Sequence, residues 1–318
     1  MSATVEEKIN NEFNNAEART ACVFATDSRR SRAFRRRVAK GEAIEPLRGM
    51  FVRASTWNSL SIDQRYRYVL CTASNEHPGA VFCYESAAFL YGICVPHNSY
   101  GTIKLATSRK KNARSTGFVN YRVVEGDEPR RVERFKVTSP LRTVFDCTRS
   151  MAFEDGLAVA DSALRLRLID EEQLDAYVRG KAGYKGVGAA RKVVKYANGK
   201  AENGGESVAR AAIIELGFAI PQLQKEFTDP LDGSTYRVDF LWNTEDGGLI
   251  IGELDGNQKY NDPAFMNGKD VTGVLRAERQ RESRLTASGA RVCRFSPSDV
   301  GNRPYFAKIL EAFGVPRA

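Results

Sequence analysis

Residues 236–260 read YRVDFLWNTEDGGLIIGELDGNQKY. Two apolar stretches flank the turn TEDGG, the pattern of an antiparallel hairpin. Side chains two apart along a strand share a face. Glu253 and Asp255 therefore point one way, and Ile250, Gly252 and Leu254 the other. A turn centred on Asp246 sets Asp239 opposite Glu253. Asp239, Glu253 and Asp255 then converge on one part of a sheet, where isolated charge is costly. Three such carboxylates repel one another unless protons or a hard cation neutralise them. Mg2+ (or Mn2+) suits oxygen donors and binds phosphates, which predicts a metal-dependent centre for phosphodiester hydrolysis. Glu206, in the first turn of a helix, is placed to join them. Lys259 follows closely and is the candidate to orient water or stabilise the reacting phosphate.

The surrounding pattern is α/β. A helix over 206–216 carries the stripe Ala209, Ala212, Ile213 and Leu216 and is closed by Gly217. After the hairpin the pattern predicts a long helix over 271–287, a strand RVCRF and a closing helix YFAKILEAF. The expected order is helix, two strands, helix, strand, helix. In RAERQRESR, Arg279 and its neighbouring arginines suit contacts to a DNA backbone; an ordinary surface helix laced with ion pairs is the competing reading.

The 318 residues suffice for two or three domains. Six scattered cysteines without a CxxC, and two histidines, argue against zinc and for reduced, buried thiols in a cytoplasm. No apolar run is long enough for a membrane span, and the polar, acidic start is not a signal peptide. The net charge of +9 is uneven: residues 1–200 carry 34 basic against 22 acidic residues, and 201–318 carry 14 against 17. A basic N-terminal region suggests a polyanionic partner such as duplex DNA.

That region opens with a polar helix over 1–20. A second follows from about 29 to 40, capped by Asp27 or Ser28 and ended by Gly41. The stretch AIEPLRGMFVR then reads as a short hairpin. Helix followed by hairpin fits the end of a winged helix-turn-helix. Arg29, Arg30, Arg32, Arg35, Arg36 and Arg37 ring the second helix, with Phe34 and Val38 as its buried side. Such a helix can seat in a major groove, although a charge run is more often a solvated face. Residues 61–98 read as helical, 102–106 and 116–124 as strands, and the Gly/Asn-rich stretch near 198–205 as a domain boundary.

RVDF, GELDGNQKY and RAERQRESRLTASGARVCRFSPSDV together resemble the Vsr-like branch of the PD-(D/E)XK nucleases. VAKGEAIEPLRGMFVR, ESAAFLYG, VTSPLRTVFDCTR and AVADSALRLRLIDEEQL resemble the AbiEi-type antitoxin region. The resemblance implies a winged helix-turn-helix over 1–60, an AbiEi-like mixed α/β region over 61–200 and a restriction-endonuclease-like domain over 201–318. It matches Asp239 to the first motif carboxylate, Glu253 to the second and Glu206 to the helix carboxylate. Asp255 stands where many members have the catalytic lysine, which leaves that role to Lys259. It implies a cytoplasmic, Mg2+-dependent endonuclease on duplex DNA, in phage defence or restriction. The alternative is a repressor or antitoxin with a degenerate nuclease fold, paired with a nucleotidyltransferase-like toxin; a nuclease acting on RNA is a third reading, and a homodimer is the candidate assembly.

Overall fold

The computed structural model describes residues 4–108, 115–228, 233–255 and 289–318. The chain is mixed α/β and divides into two compact units, residues 1–146 and 147–318. No helix among the described residues is long and apolar enough to cross a membrane.

In the first unit, a capping box between Thr4 and Glu7 starts α1 (Val5–Glu17). Strand β1 is Val23–Phe24, and the Asp27 side chain then caps α2 (Ser28–Ala39). Strands β2 (Ala43–Ile44) and β3 (Met50–Arg53) form the expected hairpin and, with β1, an antiparallel sheet in the order β1-β3-β2. One helix, α2, lies between β1 and β2.

Alternation along β3 decides how this sheet is used. Phe51 faces α1 and α2, stacking on Phe34 at 5.1 Å, while Phe34 meets Phe13 edge-on. Met50 and Val52 face the other way, into a core with Tyr66, Leu70, Phe82, Leu105 and Phe135. The rest of the unit comprises α3 (Ala54–Ser59), α4 (Ile62–Glu76), β4 (Val81–Phe82), α5 (Tyr84–Leu90), β5 (Ile103–Thr107), β6 (Ser115–Thr116), β7 (Val119–Val123), β8 (Arg130–Val132) and β9 (Phe135–Val137), and the division falls within α6 (Pro140–Thr148). The strands from β4 onward form a mixed six-stranded sheet, β6-β7-β5-β4-β9-β8. A domain boundary at residue 60 is therefore not observed, because both faces of β3 are buried and one core runs across it.

The second unit holds α7 (Phe153–Arg165), α8 (Glu171–Arg179), α9 (Val187–Tyr196), α10 (Gly204–Glu215), β10 (Gln222–Thr228), β11 (Thr235–Asn243), β12 (Leu249–Leu254), β13 (Arg291–Phe295), α11 (Pro297–Gly301) and α12 (Arg303–Ala312). Its sheet runs β10-β11-β12-β13, with β13 parallel to β12 and the other pairs antiparallel. The hairpin closes around Asp246 as expected, with Phe240 opposite Gly252 and Asn243 opposite Leu249. Strand β10 was not expected: QLQKEFT is a polar edge strand whose exposed positions hide the alternation. The predicted helix over 271–287 lies outside the described residues.

The boundary expected near residue 200 also falls elsewhere. Helix α7 packs against α10 across the Gly/Asn-rich loop, and the units divide at 146/147 instead. The loop is tied down rather than open. Asn198 N–H donates to Asp161 at 2.7 Å, and a Cβ on Gly199 would sit 3.0 Å from Leu164 Cβ. Asp161 pairs with Arg210 of α10 at 2.6 Å, both side chains being almost wholly buried. Burial pushes the Asp161 carboxyl up, against the opposing pull of Arg210 and the Asn198 N–H.

Ala209, Ala212 and Ile213 of α10 pack on Phe240, Trp242, Ile250 and Phe295 of the sheet. Gly252 permits this layer: a Cβ there would lie 2.9 Å from Trp242 Cζ3 and 3.1 Å from Phe240 Cβ. The indole cannot slide away freely, since its Nε1–H donates to Ala219 O at 2.7 Å. Gly252→Ala is expected to destabilise the protein by about 1–3 kcal/mol through overpacking, measured by urea denaturation. The cysteines are free. Burial pushes the Cys22 and Cys293 thiols up to about 12, so both are protonated fillers at neutral pH.

Candidate functional site

The carboxylates gather where the β11–β12 ladder opens. Its last pair is Phe240 with Gly252; beyond it β11 continues beside β10 alone, and β12 beside β13 alone. Asp239 and Glu253 are the next residues on the two diverging strands. Asp239 closes the fork with its side chain: its Oδ2 accepts the Leu254 N–H at 3.0 Å, a donor that the ladder no longer uses. Glu253 is buried, with 7% of its surface exposed, and Asp239 is half-buried.

Glu206 enters from the first turn of α10 and is 3% exposed. The Asn203 side chain caps that helix and also donates Nδ2–H to Glu206 Oε1 at 2.6 Å. Glu202 N–H donates to Oε2 at 2.8 Å. These donors offset the cost of burying the carboxylate. Gln224 of β10 completes the group. Its Nε2–H donates to Glu206 Oε2 at 3.0 Å and lies 3.4 Å from Asp239 Oδ1, so one amide links the helix carboxylate to the strand carboxylate. Gln224 also has φ +52°, a left-handed backbone rare for a non-glycine residue. Strain of this kind costs about 1–3 kcal/mol and collects at functional sites.

Asp255 behaves differently. Its side chain is half-exposed and reaches Arg294 of β13 at 3.4 Å. Arg294 is the register partner of Glu253 on the parallel strand, so a fixed guanidinium lies beside the acidic row. Among the described residues no three or more Asp, Glu, His or Cys side chains form a metal-holding group. The structure thus does not bring Asp239, Glu253 and Asp255 into the single three-carboxylate centre read from the hairpin. The ladder opens at Asp239, and Arg294 draws Asp255 aside. Lys259 and Arg279 lie outside the described residues.

Gln224, Asn203 and Arg294 escape the sequence reading. Gln224 would have been found had β10 been assigned, because it stands opposite Asp239 in that register. Arg294 was within reach of the RVCRF strand pattern, but its neighbour depended on a parallel pairing that short-range signals do not reveal.

In the first unit the structure sorts the six arginines of α2. Arg30 pairs with Glu12 of α1 at 2.6 Å, Arg37 with Glu6, and Arg35 with Glu45 at 3.2 Å. These three hold their own unit together. Arg29, Arg32 and Arg36 are exposed and form no ion pair with a described carboxylate; their spacing sets them along one face of the helix. Arg53 is half-buried against Glu17 at 2.5 Å, while Arg48 is exposed. By sequence, residues 1–146 hold 24 basic and 15 acidic residues and residues 147–318 hold 24 of each, so the net charge of +9 belongs to the first unit.

Comparison with known proteins gives neighbours without an assigned activity. No family model matches the chain. No solved structure matches it either. Two proteins of Mycobacterium tuberculosis strains are similar, the uncharacterized proteins MT2308 and Rv2248, each 31% identical over 163 residues. The match takes in 51% of this chain and spans 59% of the length of those relatives.

Proposed function

We propose that the protein is a DNA-binding, metal-dependent endonuclease: a winged-helix-like basic unit docks on duplex DNA, and a PD-(D/E)XK-like centre in the second unit hydrolyses the phosphodiester. The observation that carries this reading is the opened β11–β12 fork. There Asp239 and buried Glu253 lie on diverging strands and Gln224 links Asp239 to buried Glu206. Buried carboxylates gathered at a strand end are expensive, which favours a cationic partner for them.

Asp239 and Glu253 would hold Mg2+ or Mn2+. The donor set fits such an ion: both ligands are hard oxygens, and Mg2+ is ordinarily held by one or two carboxylates plus water and substrate phosphate. Bound there, the ion would supply Lewis acidity to the phosphate and lower the pKa of water. Gln224 fixes the rotamer of Asp239, and the Leu254 N–H fixes its second oxygen. Glu206, already satisfied by Asn203 and Glu202, orients Gln224 in turn. Lys259 stays the candidate for the phosphate-stabilising cation. The test is cleavage of supercoiled plasmid by the full chain with Mg2+ or Mn2+. Metal-dependent nicking supports the reading, and cleavage undiminished in EDTA contradicts it.

One observation favours a second reading. Arg294 supplies a built-in positive charge beside Glu253, and Asp255 replaces the usual lysine. A guanidinium there can neutralise the acidic row without metal, as a repressor or antitoxin with a silent nuclease fold would require.

Duplex binding is expected to depend on the exposed face of α2. Arg29→Ala combined with Arg36→Ala should reduce the slope of log K against log salt by roughly 1.8, about 0.9 for each lost phosphate contact. The melting temperature should hardly move, since neither arginine is in an ion pair with a described carboxylate. Fluorescence anisotropy across a salt series, with a melting curve for each variant, checks both.

A further inference from the structure

Beside α2, the first unit contains a cleft of about 480 Å³ that shares only Arg32 with the exposed arginine face of that helix. Arg32, Arg35 and Arg48 line it, Phe24 and Phe118 form an aromatic wall, and buried Gly49 and exposed Gly117 are part of its lining. Among the described residues no aspartate or glutamate lines it. The two rings meet edge-on with centroids 6.2 Å apart, both half-buried on the margin of the core. Arg32 and Arg48 are exposed and form no ion pair with a described carboxylate. Arg35 is oriented by Glu45, which also accepts the Gly49 N–H at 2.7 Å and so ties two lining residues together. The Arg35 guanidinium and the Gly49 N–H in turn hold the Glu45 carboxyl below its ordinary range despite its burial.

Arg32 and Arg48, with Arg35 already held by Glu45, select an anion, and an aromatic wall beside them selects a flat apolar group. A nucleotide carries both. The volume lies in the range of small-ligand sites and is too narrow for a double helix, whose bases are stacked inside and cannot reach the rings. We infer that this cleft binds one nucleotide of single-stranded DNA, the phosphate on Arg32 and Arg48 and the base against Phe24 and Phe118. This deepens the nucleic-acid reading above: the basic unit would grip an unpaired or flipped-out nucleotide beside the duplex contacts of α2.

The test uses the full chain and two fluorescein-labelled probes, a twelve-nucleotide oligothymidylate and a duplex of equal length. Phe118→Ala and Arg48→Gln should each weaken single-strand binding about tenfold and leave duplex binding within twofold. Arg29→Ala with Arg36→Ala should do the reverse. Thymidine monophosphate should displace the oligonucleotide, and inorganic phosphate at equal concentration should not. Arg48 is exposed, so its variant reports on the site even if Phe118→Ala fails to fold. The inference is overturned if the wild type does not bind the oligothymidylate, or if both variants retain its affinity. It is also overturned if they lower both affinities equally, or if phosphate competes as well as the nucleotide. Loss of plasmid cleavage in Asp239→Asn reports on the second unit alone, so failure here is distinguishable from failure of the nuclease reading.

Discussion

Asp239→Asn is expected to abolish metal-dependent DNA cleavage, with a rate loss of about 100-fold or more. A metal ion supplies several kcal/mol of charge stabilisation, and each 1.36 kcal/mol is a factor of ten in rate. The substitution keeps the shape. An asparagine oxygen can still accept the Leu254 N–H at the strand fork. What it removes is a charged oxygen, and it sets an amide N–H against the Gln224 amide. The fold should therefore persist, because one repelling charge leaves the acidic row as one hydrogen bond is lost. Addition of Mn2+ should raise the melting temperature of the wild type and not of the variant. Plasmid nicking and thermal melting, with and without EDTA, check the two halves. Cleavage that survives the substitution would place the chemistry elsewhere.

The largest stability effect should come from Arg210→Met. Arg210 and Asp161 are buried between α10 and α7, and the guanidinium also donates to Tyr196 O at 2.5 Å. Removing it leaves a buried carboxylate with its main countercharge gone, a loss of about 3–5 kcal/mol at neutral pH. The loss should depend on pH in a defined sense. Burial already pushes the Asp161 carboxyl up, and without Arg210 it rises further. A carboxyl whose pKa is higher in the folded than in the unfolded state stabilises the fold when protonated. Its contribution is present below the unfolded value near 3.9 and is lost as pH rises toward the folded value. Wild type and variant lose stability together above about 3.9, so the variant's extra loss, about 1.4 kcal/mol for each pH unit, falls between the wild-type folded value and its own higher one. Urea denaturation at pH 5, 6 and 7 measures this, and a pH-independent deficit would contradict it. Asp161→Asn should cost less, since Asn retains an acceptor for the Asn198 N–H and leaves Arg210 its bond to Tyr196.

What could be read from the chain followed local chemistry. The Asp27 cap, the Phe34 side of α2, the hairpin turning at Asp246 and the stripe of α10 are fixed by neighbours a few residues away, and all of them form. What could not be read depended on long-range pairing. The edge strand β10 is polar because one side of it faces solvent, so its alternation is hidden and Gln224 with it. The Gly/Asn-rich loop near 200 has the composition of a linker, yet Asp161 and Arg210 bind the helices on either side of it. The six arginines of α2 look equivalent in sequence. Only the positions of Glu6, Glu12 and Glu45 separate the three that hold the unit from the three that face outward. The site followed the same rule. Hairpin register placed Asp239 beside Glu253, but the strand opening and the parallel partner Arg294 set which carboxylates stay together.

The most direct test of the nuclease reading is the location of a divalent ion. Crystals of the full chain soaked in Mn2+ and measured at the manganese edge should give an anomalous peak within coordination distance of both Asp239 and Glu253. No such peak at saturating Mn2+, with the Arg294 guanidinium against Glu253 in its place, would contradict a metal-dependent nuclease and leave the repressor reading standing.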